Sequence, residues 1–238
     1  MTENNHLRIE MKNFHPVESW PKAWKELKDS FGLEINKEQK DKLQKFQEFL
    51  QEENKKINLT RLDSLPDFLT FHLLDTGSLI PFVQKASLPN KFRYCDLGTG
   101  CGVPGLILHI LLSNQLEFET YLCDSVSKKT AFLERAISML GLEEKIKVLT
   151  ARTEALLQEK KKFHLITARA MAKPPEALKQ VLPLLSPGGI YLAQSTTSLK
   201  EDSEMLQELQ KKKAKILIEE AFVLADKPRV IAGIERAK

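Results

Sequence analysis

The sequence predicts an α/β fold, a parallel sheet with helical crossovers, preceded by a helical region. Three observations carry this reading. Apolar residues recur at helical spacing through residues 1–88. From residue 92 onward short apolar runs alternate with amphipathic stretches, the pattern of strands joined by crossover helices. The first run ends in a glycine-rich loop, and an open parallel sheet binds its ligands at such loops beyond the carboxyl ends of its strands. The 238 residues, 42% hydrophobic and 29% charged, exclude a disordered chain, a collagen-like repeat and a disulfide-dense mini-protein. No apolar run approaches the ~18 residues of a membrane span, and residues 1–10 lack the apolar centre of a secretory signal. Cys95, Cys101 and Cys123 are odd in number and form no CxxC, which points to reduced thiols and a cytoplasmic protein.

The elements follow in order. Trp20, Trp24, Leu27 and Phe31 define one helix face. Asn36 caps the next helix, with Gln39 at the capping-box position and Leu43, Phe46, Phe49 and Leu50 along its apolar side. Pro66 starts a third helix, carrying Phe68, Leu69, His72, Leu73 and Leu79. Strands are predicted at 92–97, 118–123, 146–149, 163–168 and 190–194. Helices are predicted at 103–112, 128–140, 154–158, 175–185 and 199–213, with a turn at 186–189. Residues 216–224 and 229–234 form a closing hairpin. This divides the chain into a helical region, 1–88, and a sheet domain, 89–238; residues 1–35 have no assigned role.

The loop Asp96-Leu97-Gly98-Thr99-Gly100-Cys101-Gly102-Val103-Pro104-Gly105 joins the first strand to the first crossover helix. Two cofactor classes compete for it. Gly100-x-Gly102-x-x-Gly105 matches the bare dinucleotide pattern, but the strand ends at Leu97 rather than immediately before Gly100. Asp96 with Gly98, Gly100 and Gly102 instead matches, in register, the acidic-x-Gly-x-Gly-x-Gly loop of S-adenosylmethionine sites. There Asp96 meets the ammonium-bearing tail or holds the loop. Asp124, ending the second strand, suits a ribose diol under either class. Arg152-Thr153-Glu154, after the third strand, can present a backbone amide and a side chain to an adenine edge. Each acid alone also reads as a helix cap or first-turn residue; the three in order favour the cofactor.

Asn58-Leu59-Thr60, His72-Leu73-Leu74-Asp75-Thr76, the loop 96–105, Cys123-Asp124-Ser125 with Lys128-Lys129 and Phe132-Leu133, Arg152-x-Glu154, and Ala168-Arg169-Ala170 follow one another in the chain. Together, from about residue 36 onward, they resemble the RsmG family, also called GidB. The resemblance implies a Rossmann-like class I S-adenosylmethionine-dependent methyltransferase sheet with an N-terminal helical extension. It also implies methyl transfer to N7 of a guanosine in 16S ribosomal RNA, within the 30S subunit or its precursor. Carried over by position, Gly98 and Val103 contact the cofactor, Thr153 and Glu154 flank the adenine, Asp124 meets the ribose, and Arg169 lies near the methyl-donor end. Asp96 and Gly100 complete the cofactor set. The chain departs from the family at Cys101, at Asp75-Thr76 where Asp-Ser is usual, and at Leu192-Ala193-Gln194-Ser195 where a lysine-glycine step is common. It also has a longer N-terminal stretch.

Guanine N7 carries a lone pair and no proton, so no general base is required and no catalytic residue is assigned; no metal is expected. Positioning and electrostatics then carry the catalysis. Lys173-Pro174-Pro175-Glu176 lacks both flanks of the turn used for amino-group methylation, and no cysteine lies near it for ring-carbon methylation. His72, Lys128, Lys129 and Arg135 are the candidates for RNA contact, against the plainer reading of a core histidine and a solvated basic helix face. Residues 1–90 carry 13 basic and 14 acidic groups and residues 91–238 carry 23 and 18, so the slight positive excess lies in the sheet domain. The alternatives are a methyltransferase of this fold acting on another substrate, a nucleotide-dependent oxidoreductase, and a non-catalytic ribosome-assembly factor that retains the pocket. No membrane association is predicted, and the sequence assigns no oligomeric state.

Overall fold

Seven strands form one sheet because each carries apolar residues on both faces, and each face is covered by helices. The structure, a computed structural model, describes residues 9–169 and 172–237. The strands are β1 (Lys91–Leu97), β2 (Glu117–Asp124), β3 (Ile146–Thr150), β4 (Phe163–Ala168), β5 (Leu185–Ser195), β6 (Ala214–Leu224) and β7 (Lys227–Arg236). Their spatial order is 3-2-1-4-5-7-6. The first five are mutually parallel; β7 runs antiparallel to β5 and pairs with β6 in the expected closing hairpin. The chain winds outward from β1 in one direction to β3, then restarts beside β1 with β4. The carboxyl ends of β1 and β4 therefore flank the switch point, where a crevice opens.

Alternation along the strands divides the core. Tyr94, Leu122, Leu165, Leu192 and Ile231 face the helical region together with α6 (Gly105–Leu112) and α7 (Ser127–Leu140). Cys95, Tyr121, Ile166, Tyr191 and Ala232 face α8 (Thr153–Gln158), α9 (Pro174–Val181) and α10 (Ser203–Lys211). The helical region comprises α1 (Trp20–Phe31), α2 (Lys37–Ile57), α3 (Leu65–Asp67), a π-helical segment (Phe68–Leu74), α4 (Asp75–Gly77) and α5 (Ile80–Lys85). Its buried Leu27, Phe46, Leu69 and Leu73 belong to the same continuous core as Leu106 and Phe132. The capping box forms as expected: Asn36 Oδ1 accepts from the Gln39 amide and Gln39 Oε1 from the Asn36 amide, both at 2.9 Å. The Gln39 side-chain amide also donates to the Ile110 carbonyl at 2.7 Å, tying α2 to the end of α6.

Several boundaries differ from the sequence reading, each for a local reason. The first crossover helix begins at Gly105 rather than 103, because left-handed turns at Gly98, Gly100 and Gly102 consume the chain before it. The helix expected at 175–185 ends at Val181 and continues as a 3₁₀ turn, Leu182–Leu184, because Pro183 has no amide to donate. The turn at 186–189 is drawn into β5 as a bulge, where the register jumps from Phe163↔Leu185 to Leu165↔Ile190. The helix that starts near Pro66 widens into the π-helical segment, and α10 is shorter than 199–213, starting at an Asp202 cap.

Residues before α1 have a structural place. The Phe14 amide donates to the Val223 carbonyl and its carbonyl accepts from the Ala225 amide, both at 2.8 Å. This bridge covers the outer edge of β6, an otherwise open template for strand pairing. Among the described residues no helix is long and apolar enough to cross a membrane, and the three cysteines are buried and unpaired by disulfide.

Candidate functional site

Asp96, next to last in β1, is fully buried, and its hydrogen bonds run into the protein. Oδ2 accepts from the Gly105 amide at 2.8 Å, and Oδ1 accepts from the Thr167 hydroxyl at 2.7 Å. Thr167 in turn lies 2.7 Å from the Tyr94 hydroxyl. Burial raises the Asp96 pKa to about 6, against the opposing pull of those hydrogen bonds. The carboxylate thus fastens both ends of the loop. A Cβ at position 105 would lie 2.4 Å from Leu122 and 2.7 Å from Asp96, so the loop closes this tightly only with glycine there.

Beside the loop lies a cavity of about 460 Å³, walled by Gly98, Asp124, Val126, Lys129, Arg152, Thr153 and Glu154. It is built from the ends of β1, β2 and β3, which lie side by side. Asp124 Oδ2 accepts from the Gly100 amide at 3.0 Å and Oδ1 from the Val126 amide at 2.9 Å, with the Lys129 ammonium 3.8 Å away. A carboxylate oxygen has a second acceptor site, so Asp124 can hold the loop and still receive a diol. Of the cofactor set expected from the sequence, Gly98, Asp124, Thr153 and Glu154 share this cavity. Gly100 supports it through its amide, Asp96 lies beneath the loop, and Val103 packs into the core. Cys123 also lines the cavity; burial raises its thiol pKa to about 12, so it is an inert wall group.

Arg169 lies in the wall of a second cavity, about 490 Å³, on the other side of the end of β4. Its Nη1 donates to the Phe71 carbonyl at 3.0 Å and to Asp75 Oδ2 at 3.2 Å. Asp75 Oδ1 accepts from Arg229 Nε at 3.1 Å. One buried carboxylate thus links the helical region, the end of β4 and the closing hairpin. Phe71, Tyr191, Gln194, Ser195 and Thr196 also line it, among smaller apolar groups such as Ala168 and Ala193. Sequence reasoning missed Phe71 and Arg229, which stand in no motif. Asp75 stood inside a quoted motif without a role, because its partners are 94 and 154 residues away. Ala170 of the Ala-Arg-Ala step lies outside the described residues.

The RNA candidates separate. His72 is 1% exposed, and both ring nitrogens lack a hydrogen-bond partner. Burial, followed by the Arg169 charge, lowers its pKa to about 4, so the ring is a neutral core group set edge-on to Phe68. Arg135 is ion-paired with Glu53, which also binds Lys56 at 2.8 Å. Lys128 is exposed at the start of α7, and Lys129 leans toward Asp124. Lys129 therefore lines the first cavity and Lys128 is exposed next to it on α7, whereas His72 does not reach the surface.

Residues 39–228 match the family described as rRNA small subunit methyltransferase G, GidB. The ribosomal RNA small subunit methyltransferase G of Desulfitobacterium hafniense is 34% identical over 174 residues, 72% of this chain and 69% of that protein. The protein of the same name from Prochlorococcus marinus is 36% identical over 188 residues, 77% and 72% of the two chains. Among solved structures, TrmN from Thermus thermophilus superposes with a TM-score of 0.52 at 18% identity, over 68% of this chain and 48% of that one. A putative SAM-dependent methyltransferase from Streptococcus mutans gives 0.52 at 10% identity, over 68% and 49%. The sheet and its crossovers are those of the Rossmann-like S-adenosylmethionine-dependent methyltransferases.

Proposed function

The chain belongs to the rRNA small subunit methyltransferase G family, and from that premise we propose that it transfers a methyl group from S-adenosylmethionine to N7 of a guanosine in 16S ribosomal RNA. The observation that carries this reading is the pairing of two cavities across the switch point, one suited to a nucleoside cofactor and one opening beside it. In the first cavity, Asp124 receives the ribose hydroxyls, Thr153 and Glu154 meet the adenine, and Gly98 lets backbone approach without a side chain. The donor set fits: a carboxylate with free acceptor sites, backbone at the end of β3, and the apolar Val126. S-adenosylmethionine supplies there an electrophilic methyl carbon on a sulfonium.

The second cavity suits a nucleophile that carries no proton. Among the described residues its one carboxylate, Asp75, is held between Arg169 and Arg229 and is not free to act as a base. Burial raises the pKa of Tyr191 well out of the physiological range. Nothing else in the described wall accepts a proton near pH 7. The methylated purine is cationic, so a guanidinium against N7 would oppose the reaction. Arg169 is accordingly an anchor, bound to Asp75 and the Phe71 carbonyl, with its remaining donors available to a phosphate or a cofactor carboxylate. Positioning supplies the rate. Lys128 and Lys129 give the RNA a local basic rim, in keeping with a substrate recognised by shape within the 30S subunit or its precursor.

Mapping N7-methylguanosine in 16S RNA with and without this protein tests the proposal. Labelled methyl should enter 30S particles from a strain lacking the gene and should be found at N7. If S-adenosylhomocysteine binds but no methyl is incorporated, the enzymatic reading fails and an assembly factor replaces it.

A further inference from the structure

We infer that the 490 Å³ cavity is a nucleotide subsite that seats one guanosine 5′-phosphate turned out of the RNA, the base on Phe71, the phosphate on Arg229 and the donor edge of the base on Gln194. The inference deepens the function proposed above and rests on it. Three observations, each from a different element, point to one ligand.

The first is charge. Arg169 and Arg229 line the cavity and Lys227 stands over Phe71, against Asp75 as the one carboxylate among the described lining residues, so these four groups leave an excess of two positive charges. Arg229 uses Nε on Asp75 and Nη1 on the Pro228 carbonyl, and neither contact engages Nη2. A guanidinium fixed on one side by a carboxylate is preoriented to bind an anion on the other. The second is an aromatic face. Phe71 is half-buried, lines the cavity and carries the Lys227 ammonium 4.3 Å from its ring centroid. The ammonium lies over one face of the ring, so the opposite face is the platform on which an unstacked base can lie. The third is an unmet acceptor. Gln194 Oε1, at the end of β5, is buried without a donor in a residue that lines the cavity. Leaving such an oxygen unpaired is costly. Turning the side-chain amide toward the cavity lets a bound base supply the donor. Guanine offers two donor groups, N1–H and the N2 amino group, on one edge; adenine offers only its N6 amino group there.

A base that is methylated must leave its stack to reach the donor, which is why a mononucleotide-sized cavity is expected beside the cofactor. The test uses the full chain saturated with S-adenosylhomocysteine. GMP, AMP and inorganic phosphate are titrated separately, with binding read by ligand-observed NMR. GMP should bind at least about threefold more tightly than AMP, and phosphate more weakly than either. Arg229→Ala should weaken GMP about tenfold, with Arg229→Lys intermediate because it keeps the charge and loses the fork. Gln194→Ala should bring GMP and AMP to within about twofold of each other. Unchanged S-adenosylhomocysteine affinity shows that the sheet end is intact, and GMP binding retained by Arg229→Lys shows that the second cavity has not collapsed. No GMP binding at about 10 mM, phosphate binding as tightly as GMP, or an Arg229→Ala variant with wild-type GMP affinity overturns the inference. GMP binding without methyl transfer to 16S RNA would instead refute the reaction and leave the subsite standing.

Discussion

The two cavities are built differently from neighbouring stretches of one sheet edge. The first is assembled from successive strand-to-helix loops. Gly98 follows β1, Asp124 ends β2 and Thr153 follows β3, and the adjacency of these strands brings them together. The second is assembled from distant pieces: Phe71 and Asp75 from the helical region, Arg169 from the end of β4, Gln194 from β5 and Arg229 from β7. It exists only when the helical region docks on the sheet. The first should therefore respond to changes in the loop, and the second to changes in long-range contacts.

The largest expected effect tests the loop. Gly105→Ala places a methyl group against Leu122 and Asp96, so it should cost about 3 kcal/mol of stability in urea unfolding and weaken cofactor binding with it. Asp124→Asn should lower S-adenosylhomocysteine affinity roughly 100-fold by calorimetry, because an amide nitrogen cannot accept from Gly100 or Val126. GMP binding should survive that change if the two cavities are independent; joint loss would show that they form one cooperative unit. Asp75→Asn removes the charge shared by Arg169 and Arg229. It should cost about 2 kcal/mol and reduce methyl transfer about tenfold through the RNA KM, with cofactor affinity nearly intact.

A smaller effect separates the regions by pH. Asp96, under the first cavity, has its folded-state pKa raised to about 6 from 3.8. The folded state therefore holds its proton longer, and this contribution is lost as pH rises through that window. His72, behind the second cavity, has its pKa lowered to about 4 from 6.5. The unfolded state takes the proton first, so this contribution is lost as pH falls from 6.5 toward 4. Urea unfolding between pH 4 and 6.5 should show wild type losing ground to Asp96→Asn as pH rises, and gaining on His72→Leu. Each slope should be at most about 1.4 kcal/mol per pH unit. Parallel slopes of one sign would break the contrast.

Much of the fold was legible before the structure. The strand runs, the Asn36–Gln39 capping box and the closing hairpin all express short-range patterns: periodicity, a side chain meeting an amide three residues on, and two strands meeting across a tight turn. The errors also have short-range causes that only packing exposes. Gly188 and Gly189 read as a turn, yet β4 pairs on either side of them and makes them a bulge. Pro66 reads as the start of an ordinary helix, yet the segment widens into a π-helix where it packs against α1.

The sequence by itself determined the strand-to-helix alternation, the glycine loop and the family, because each is written in residues close together or in a fixed order. It also marked Gly98, Asp124, Thr153 and Glu154 as one site, since the ends of parallel strands must line up. Only the tertiary structure decided that Asp96 is a buried fastener, that His72 is a neutral core ring, that Arg135 is matched by Glu53, and that Asp75 joins two arginines. Those roles depend on burial and on partners as far as 154 residues away, and neither is encoded at the residue itself.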